Sequence, residues 1–337
     1  MKASRSLYWD IAKGISIILV ILGHVVPVGS LVRRIIFSYH MPFFFLANAY
    51  FIKNYDIFGN VIKSVKSLIK PYTIVCIISA ILCVEQNTSA APNYLVFCQR
   101  IADMIIGMSK TSTRFQSFGS VWLVWFVVCL FAARILYICL MSFLQKTHLL
   151  LQGAVMLFLC AIGSFIGHRF AFLPWSLDVS LVALPFMWFG DHLKQFQLSE
   201  HPKRFFICAI CCLIIWIFLL SKGIQIEMAT RYYPGHFLSI LCAIAGSVTV
   251  LYISWISDRF HLPLNAFFSW CGRHSMVILA LHCLEMRFVH WDSLIINKIP
   301  ISLNCYGVFV IKLMFILLAA SIIVFIKERI DALDQCS

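Results

Sequence analysis

The sequence predicts an all-α polytopic membrane protein, with about ten transmembrane helices in one bundle and both termini in the cytoplasm. Of its 337 residues, 61% are hydrophobic and only 12% are charged. The mean hydropathy is +0.91. Soluble domains are about half apolar and a quarter charged. A soluble fold of this length could not bury so much apolar surface, so lipid must solvate most of it. We expect residues 1–337 to form a single transmembrane domain.

Ten apolar stretches of about 17–25 residues give the predicted spans in order. They are residues 11–28, 35–52, 71–86, 120–142, 149–167, 176–190, 205–221, 237–256, 268–285 and 304–326. The first follows Lys2 and Arg5 but lacks an A-x-A cleavage site, which favours a retained signal-anchor helix. Between the third and fourth spans, "YLVFCQRIADMIIGM" is typical of an amphipathic helix on the membrane surface. No internal repeat is visible.

The lysines and arginines set the predicted orientation. A cytoplasmic N-terminus places "KNYDIFGNVIKSVKSLIK", "DHLKQFQLSEHPKRF" and the tail "KERIDALDQCS" on the inner side. The first of these segments is the strongest evidence for this orientation, because it is predicted to be one short loop with four lysines. These are Lys53, Lys63, Lys66 and Lys70. This cluster has two interpretations, which are topological anchoring and binding of a phosphorylated ligand.

Charge and cysteine content exclude other classes of protein. A net charge of +13 would suggest nucleic acid for a soluble chain, but here it matches anionic lipid head groups and membrane topology. We therefore expect a lipid bilayer and no nucleic acid among the partners. Most of the 14 cysteines lie in apolar runs, as Cys208, Cys211 and Cys212 do, and none has zinc-ligand spacing. No metal site is predicted, and a homo-oligomer is compatible with the sequence.

Three polar residues, Asp10, Lys13 and His24, accompany the first span. In one helix Lys13 and His24 lie about 20° apart around the axis and about 16 Å apart along it, with Asp10 within about 40° of His24. This stripe should face protein rather than lipid. Ionisable groups at membrane depth are costly and usually functional, and an imidazole accepts a proton near neutral pH. The alternatives are an interhelical hydrogen bond for His24 and a local ion pair for Asp10 and Lys13.

Further polar residues are predicted near the outer end of the bundle. "SYHMPFFF" places His40 there, after Arg33 and Arg34, and Pro42 should kink or begin the second helix. "CGRHSMVILALHCLEM" places His282 at the outer end of the ninth span, with Glu285 three residues later on the same face. Each residue alone would suit a hydrogen bond between helices. Together they predict a site.

Five stretches resemble the acyltransferase-3 family of membrane acyltransferases, and most closely its fucose 4-O-acetylase-like branch. "DIAKGISIILVILGH" resembles D-x-x-K-G followed by L-G-H, and "SYHMPFFF" resembles F-H-M-P-L-F-F. "VWLVWFVVCLF" and "LDVSLVALPFMWFGDHL" resemble W-F-L and L-P-F-F-x-x-G segments. "CGRHSMVILALH" is similar to G-x-x-S-x-x-I-Y-x-x-H. The stretches occur in the family's order along most of the chain.

The resemblance implies a bacterial inner-membrane enzyme that transfers an acetyl group from acetyl-CoA to a hydroxyl of a sugar or surface polysaccharide. In the family a basic residue, usually Arg, precedes an essential histidine by eleven positions. Lys13 and His24 keep this spacing, although Lys lacks the bidentate geometry of Arg. Asn48 and Ala49 of "LANAYF" depart from the expected S-G-Y.

The polar residues of the predicted helices and the family resemblance together suggest a mechanism. His24 is the candidate base, with His40 and Asp10 as further catalytic candidates. Arg33 and Arg34 are candidates to stabilise the oxyanion, with His282 and Glu285 also expected to contact substrate. Lys13 and the inner lysines are expected to bind the phosphorylated head of acetyl-CoA, which is a substrate and not a tightly bound cofactor. A covalent acyl-histidine step remains open, and the competing functions are a glycan or lipid-linked sugar flippase and a non-catalytic scaffold.

Overall fold

A computed structural model describes residues 6–87, 91–107, 121–169, 173–291 and 304–334. Most of these residues are helical, and the extended pairing among them is the isolated bridge between Glu227 and Tyr232. The structure confirms the predicted all-α class.

Fourteen α-helices occur in the described residues. The first seven are α1 Leu7–Val25, α2 Leu31–Phe37, α3 His40–Tyr50, α4 Ile57–Ser64, α5 Lys70–Glu85, α6 Asn93–Ile106 and α7 Trp125–Leu144. The others are α8 Leu149–Arg169, α9 Leu177–Leu193, α10 Pro202–Ser221, α11 Phe237–Arg259, α12 Asn265–Arg273, α13 Ser275–Phe288 and α14 Asn304–Asp334. A π-helical turn, Val65–Ile69, joins α4 to α5 without a break.

Seven helical stretches in the described chain are long and apolar enough to cross a membrane. They are Leu7–Val25, Ile57–Glu85, Trp125–Leu144, Leu149–Arg169, Pro202–Ser221, Phe237–Arg259 and Cys305–Leu333. Each overlaps a predicted span, although Ile57–Glu85 begins well before the predicted span 71–86, and together they confirm a polytopic membrane protein. The total of ten spans and the cytoplasmic termini stay predictions.

The other three predicted spans differ from single long helices. The span 35–52 is broken between α2 and α3, and α3 begins at His40 with Pro42 in its first turn. The span 268–285 is broken at His274, between α12 and α13. The span 176–190 is the 17-residue α9.

One loop prediction was wrong. The lysine-rich segment is helical from Ile57 onward, so Lys63, Lys66 and Lys70 lie on one helical stretch rather than in a short loop. Asp56 begins this stretch, because its Oδ2 accepts a hydrogen bond from the Gly59 amide at 3.0 Å. All three lysines are exposed.

The chain divides into two compact units. The terminal unit contains Met1–Ile36 and Ser257–Ser337, and the central unit contains Phe37–Ile256. In the terminal unit, α1 packs against α12, α13 and α14. A Cβ placed on Gly14 would lie 1.9 Å from the Phe268 carbonyl oxygen, and one on Gly272 would lie 1.8 Å from the Asp10 carbonyl oxygen. These glycines allow the backbones of α1 and α12 to touch.

In the central unit, α9 lies at the core and packs against α3, α7 and α8. A Cβ on Gly190 of α9 would lie 2.2 Å from the carbonyl oxygen of Leu46 in α3. The helix α6 packs against α5, which agrees with the amphipathic helix predicted after the third span. The single domain 1–337 stays a prediction.

Candidate active site

Helix α1 carries the predicted polar stripe on a continuous backbone. Lys13 Nζ lies 2.8 Å from Asp10 Oδ1, so these two residues form the local ion pair that their spacing allows. The Asp10 side chain is buried where α12 crosses α1 beside Gly14. His24 lies in the last turn of α1 and is half-buried. The first turns of the stripe are thus packed by α12, and His24 lies at its other end.

His282 is fully buried and is held by a carboxylate on its own helix. Its Nδ1 lies 3.0 Å from Oε2 of Glu285, one turn further along α13. Its Nε2 is buried and has no hydrogen-bond partner among the described residues. A proton on Nδ1 donates to the carboxylate, so this pairing leaves a lone pair on Nε2.

Glu285 is held in turn by two residues outside α13. Lys312 Nζ of α14 lies 3.0 Å from Glu285 Oε1, and the indole Nε1 of Trp291 also donates to Oε1. The Lys312 ammonium lies 5.8 Å from the centre of the Trp291 ring. Both carboxylate oxygens therefore have partners, and the charge of Glu285 is balanced by Lys312. This arrangement fixes His282 rather than exposing the acid to a substrate.

His24 lies beside this buried pair. The ring centres of His24 and His282 are 5.5 Å apart, at an interplanar angle of 50°. His24 also lines a cavity of about 460 Å³, whereas His282 lies behind it. The cavity is lined by His24, Val25, Met286, Arg287, Val289, His290, Trp291, Cys305, Val308 and Lys312. Such a volume is typical of sites for small molecules.

The cavity combines the groups that acyl transfer requires. An imidazole in the wall can take a proton from a hydroxyl, and the guanidinium of Arg287 can face a developing negative charge. A second imidazole, fixed by a carboxylate, stands next to the first.

The acyltransferase-3 family model, described as an acyltransferase domain, matches residues 6–326. The chain belongs to the acyltransferase-3 family. It is a membrane acyltransferase of several spans. No curated protein matches the chain, and no solved structure does so. The fucose 4-O-acetylase-like branch stays a prediction.

In this acyltransferase, two more predicted site residues belong to the terminal unit. Arg33 Nη1 donates to the Gly23 carbonyl at 2.6 Å, which ties α2 to the end of α1 directly before His24. Nε of Arg34 is buried without a hydrogen-bond partner among the described residues. Arg33 thus positions the chain around His24.

The remaining predicted residues belong to the central unit. His40 is buried at the start of α3, where its ring meets the edge of Phe37 at 4.8 Å between centres. The exposed lysines Lys63, Lys66 and Lys70 are grouped on their helix. Roles for these four residues in catalysis or in binding acetyl-CoA stay predictions.

Asn48, which replaces the serine expected from the family pattern, has a structural role in the central unit. Arg134 of α7 donates to Asn48 Oδ1 at 2.6 Å and to Asn60 Oδ1 at 3.1 Å. Ala49 is fully buried. The substituted segment therefore packs well in this chain, with Asn48 supplying an acceptor for a half-buried arginine.

Sequence reasoning missed two partners of Glu285. Lys312 is a single charge within the apolar run 304–326, and a lysine at such a position is itself a sign of an internal partner. Nothing in the sequence indicated that Trp291 contacts Glu285, because this contact depends on the path of the chain after α13. A buried ion pair between Asp178 of α9 and Arg231 was also missed, although Asp178 lies within a predicted span.

Proposed function

We propose that this membrane acyltransferase is an O-acetyltransferase of the bacterial inner membrane. It takes the acetyl group from cytoplasmic acetyl-CoA and passes it to a hydroxyl of a cell-surface or secreted polysaccharide. The family membership supplies the reaction class, and the cavity at His24 supports a site for a small acyl group and a hydroxyl.

The observation that carries the proposal is the place of His24, in a cavity wall and next to a buried histidine–carboxylate pair. A sugar hydroxyl is a weak nucleophile until a base takes its proton. His24 and His290 both line the cavity, and His24 is the one packed against the His282 ring, so we assign it as the base. His282 lies behind it and does not line the cavity.

The acetyl transfer can be written with the residues that line the cavity, and its atoms and charges balance. As the acceptor oxygen attacks the thioester carbonyl carbon, its proton moves to His24, and a tetrahedral oxyanion forms. The oxyanion then collapses, the carbon–sulfur bond breaks, and the CoA thiolate leaves. The proton returns from His24 to the sulfur, which yields free CoA and an acetyl ester. Arg287 in the cavity wall favours the oxyanion, whereas the charge of Lys312 is matched by Glu285.

Glu285 and His282 act as positioning residues. Glu285 fixes the proton of His282 on Nδ1, so the lone pair of Nε2 is available beside the His24 ring. A neutral acceptor at this place stabilises the imidazolium that His24 becomes during attack. Lys13 lies about 16 Å along α1 from His24, and we place the phosphorylated head of acetyl-CoA on its side of the membrane.

Mass analysis of surface glycans tests this proposal. The strain with the wild-type protein should carry acetyl esters, and the His24→Ala strain should lose them while the protein stays in the membrane. His201→Ala is the matched control, because His201 is exposed outside the helices, and it should keep the esters. Esters that persist in His24→Ala would disprove His24 as the base, and glycans that fail to reach the surface would indicate a flippase.

A further inference from the structure

Helix α14 is longer than a bilayer requires. Its 31 residues rise about 46 Å, whereas the hydrocarbon core of a bilayer is about 30 Å thick. The apolar run starts with the helix, and the charged residues Lys327, Glu328 and Arg329 end it. Charged side chains at the end of a span lie at the membrane surface. Helix α14 therefore continues into the aqueous phase as an extension over residues 325–334.

The chain's own described residues do not cover this extension. Buried residues recur along α14 at four-residue spacing, and the last of them is Val324. Every side chain from residue 325 to 333 is exposed. The Arg329 guanidinium lies 5.2 Å from the centre of the Phe325 ring, and it forms no ion pair with an acid whose side chain the structure describes. Both apolar surface and a cationic charge are thus left open.

Exposed apolar residues at this end of α14 follow a heptad pattern. Ile323, Ile326, Ile330 and Leu333 are spaced three, four and three residues apart, which are the positions a, d, a and d. At about 100° per residue these four residues lie within about 80° of one another around the helix axis. Each lies about 100° or more from Val324. They form a seam on the side of the helix away from its buried face.

Water surrounds the second half of this seam. Ile330 and Leu333 lie beyond the charged residues at the membrane surface, and they are 52% and 70% exposed. Single exposed apolar residues are ordinary, but an exposed a/d seam is the surface that a second helix covers in a coiled coil. Isoleucine at a with leucine at d favours two strands.

The charges beside the seam fit a second copy of the same helix. Copies with one topology in one bilayer share an orientation, so their α14 helices meet in parallel. In a parallel pair, position g of one helix lies opposite position e of the other, five residues later. Arg329 has position g, and Asp334, the last residue of α14, has position e. Each Arg329 is therefore opposite Asp334 of the partner subunit, and two-fold symmetry gives this pairing twice.

We propose that α14 joins two copies of the protein through a parallel coiled coil over residues 323–334. So short a helix would be marginal as a free peptide, but here it is already formed as the continuation of a membrane span. Confinement of both copies to one bilayer also raises their effective concentration. This inference does not rest on the proposed acyl transfer and is tested without it.

Energy transfer between full-length copies tests the pairing. Copies with a donor or an acceptor fluorescent protein at the N-terminus are reconstituted in phosphatidylcholine vesicles. The protein-to-lipid ratio is lowered until a monomeric membrane protein gives no transfer, and the wild type should still give transfer there. The double substitution Ile330→Ala with Leu333→Ala keeps helix propensity and removes the seam. It should weaken association at least about tenfold.

An exchange of charges tests the register. Arg329→Asp places two carboxylates opposite each other at both sites, and Asp334→Arg places two guanidinium groups there. Each variant should associate with itself about tenfold more weakly than the wild type. A mixture of the two variants has opposite charges at both sites and should recover the transfer. Glu328→Arg is the matched control, because Glu328 is exposed at the outer position f and should have no effect.

Three results would each overturn the proposal. The first is a wild type that gives no transfer at low density. The second is association that survives the loss of Ile330 and Leu333, which would place the interface elsewhere. The third is a mixture of the two charge variants that associates no better than either alone. Size-exclusion elution and melting temperature establish that each variant is folded.

Discussion

Oε2 of Glu285 lies 3.0 Å from Nδ1 of His282, and the opposite oxygen of the same carboxylate is held by Lys312 and Trp291. One acid thus connects α13, α14 and Trp291, which lies three residues beyond the end of α13. The His24 ring, 5.5 Å from that of His282, adds α1 to the group. Four parts of the terminal unit meet at one carboxylate, so its removal has consequences for both catalysis and stability.

Glu285→Gln should lower kcat at least about tenfold with little change in the KM for acetyl-CoA. The amide keeps the shape of the side chain but can pair with His282 in its other tautomer, which removes the lone pair from Nε2. Acetyl transfer by the purified protein measures this effect. Glu200→Gln, an exposed acid, should leave both constants unchanged. An increase in KM alone would instead place Glu285 in substrate binding.

Gly14→Ala and Gly272→Ala should each destabilise the terminal unit by about 2 kcal/mol or more. The added methyl group would meet a backbone carbonyl oxygen at less than 2 Å, and backbone cannot move aside as a side chain can. The fraction of monodisperse protein after extraction in detergent, and its melting temperature, report the change. Gly307→Ala is the control, because nothing lies within 4 Å of its Cβ position. Equal behaviour of all three variants would disprove the tight crossing of α1 and α12.

Removing one member of the Asp178–Arg231 pair should destabilise the protein by about 3–5 kcal/mol, because a buried charge is left without a partner. The double substitution Asp178→Leu with Arg231→Met should cost less than either single substitution. Melting temperatures of the three variants show this non-additivity. Arg204→Met, an exposed position, should have little effect. A double variant as unstable as the sum of the singles would contradict the expected coupling.

Reporter fusions should confirm the predicted orientation. Green fluorescent protein fused at the C-terminus should fluoresce, because that end is predicted to be cytoplasmic. Alkaline phosphatase fused after Asn87 should be active, and the same enzyme fused after Lys146 should be inactive. The opposite pattern of phosphatase activity would show that the membrane topology is inverted and that His24 lies on the inner side.

The sequence predicts the helices well and their interruptions only in part. Apolar length identifies where a helix runs, and all seven long helices fall on predicted spans. It does not identify the break at His274, whereas Pro42 already predicts that a helix begins near His40, as α3 does. The lysine-rich segment shows the opposite error. Its polar residues suggested a loop, although α4 continues through the π-helical turn into α5.

The candidate site was predictable where its residues share a helix. His282 and Glu285 are three positions apart, so periodicity places them on one face, and the structure pairs them. Lys312 reaches the same carboxylate from a helix that begins after α13, and no spacing rule connects them. The ion pair of Asp178 and Arg231 has the same difficulty, since 53 residues separate its members. Contacts between distant segments depend on packing, which local patterns do not encode.

The crossing of Gly14 and Gly272 has a consequence for how the protein is made. At synthesis rates on the order of 10 residues per second, the ribosome adds α12 tens of seconds after α1. During that interval the first helix waits in the bilayer, or with an insertion factor, before its principal partner exists. A chain that stalls before residue 257 would lack α12, so α1 would have no packing partner. Such a chain would be a substrate for quality-control proteases.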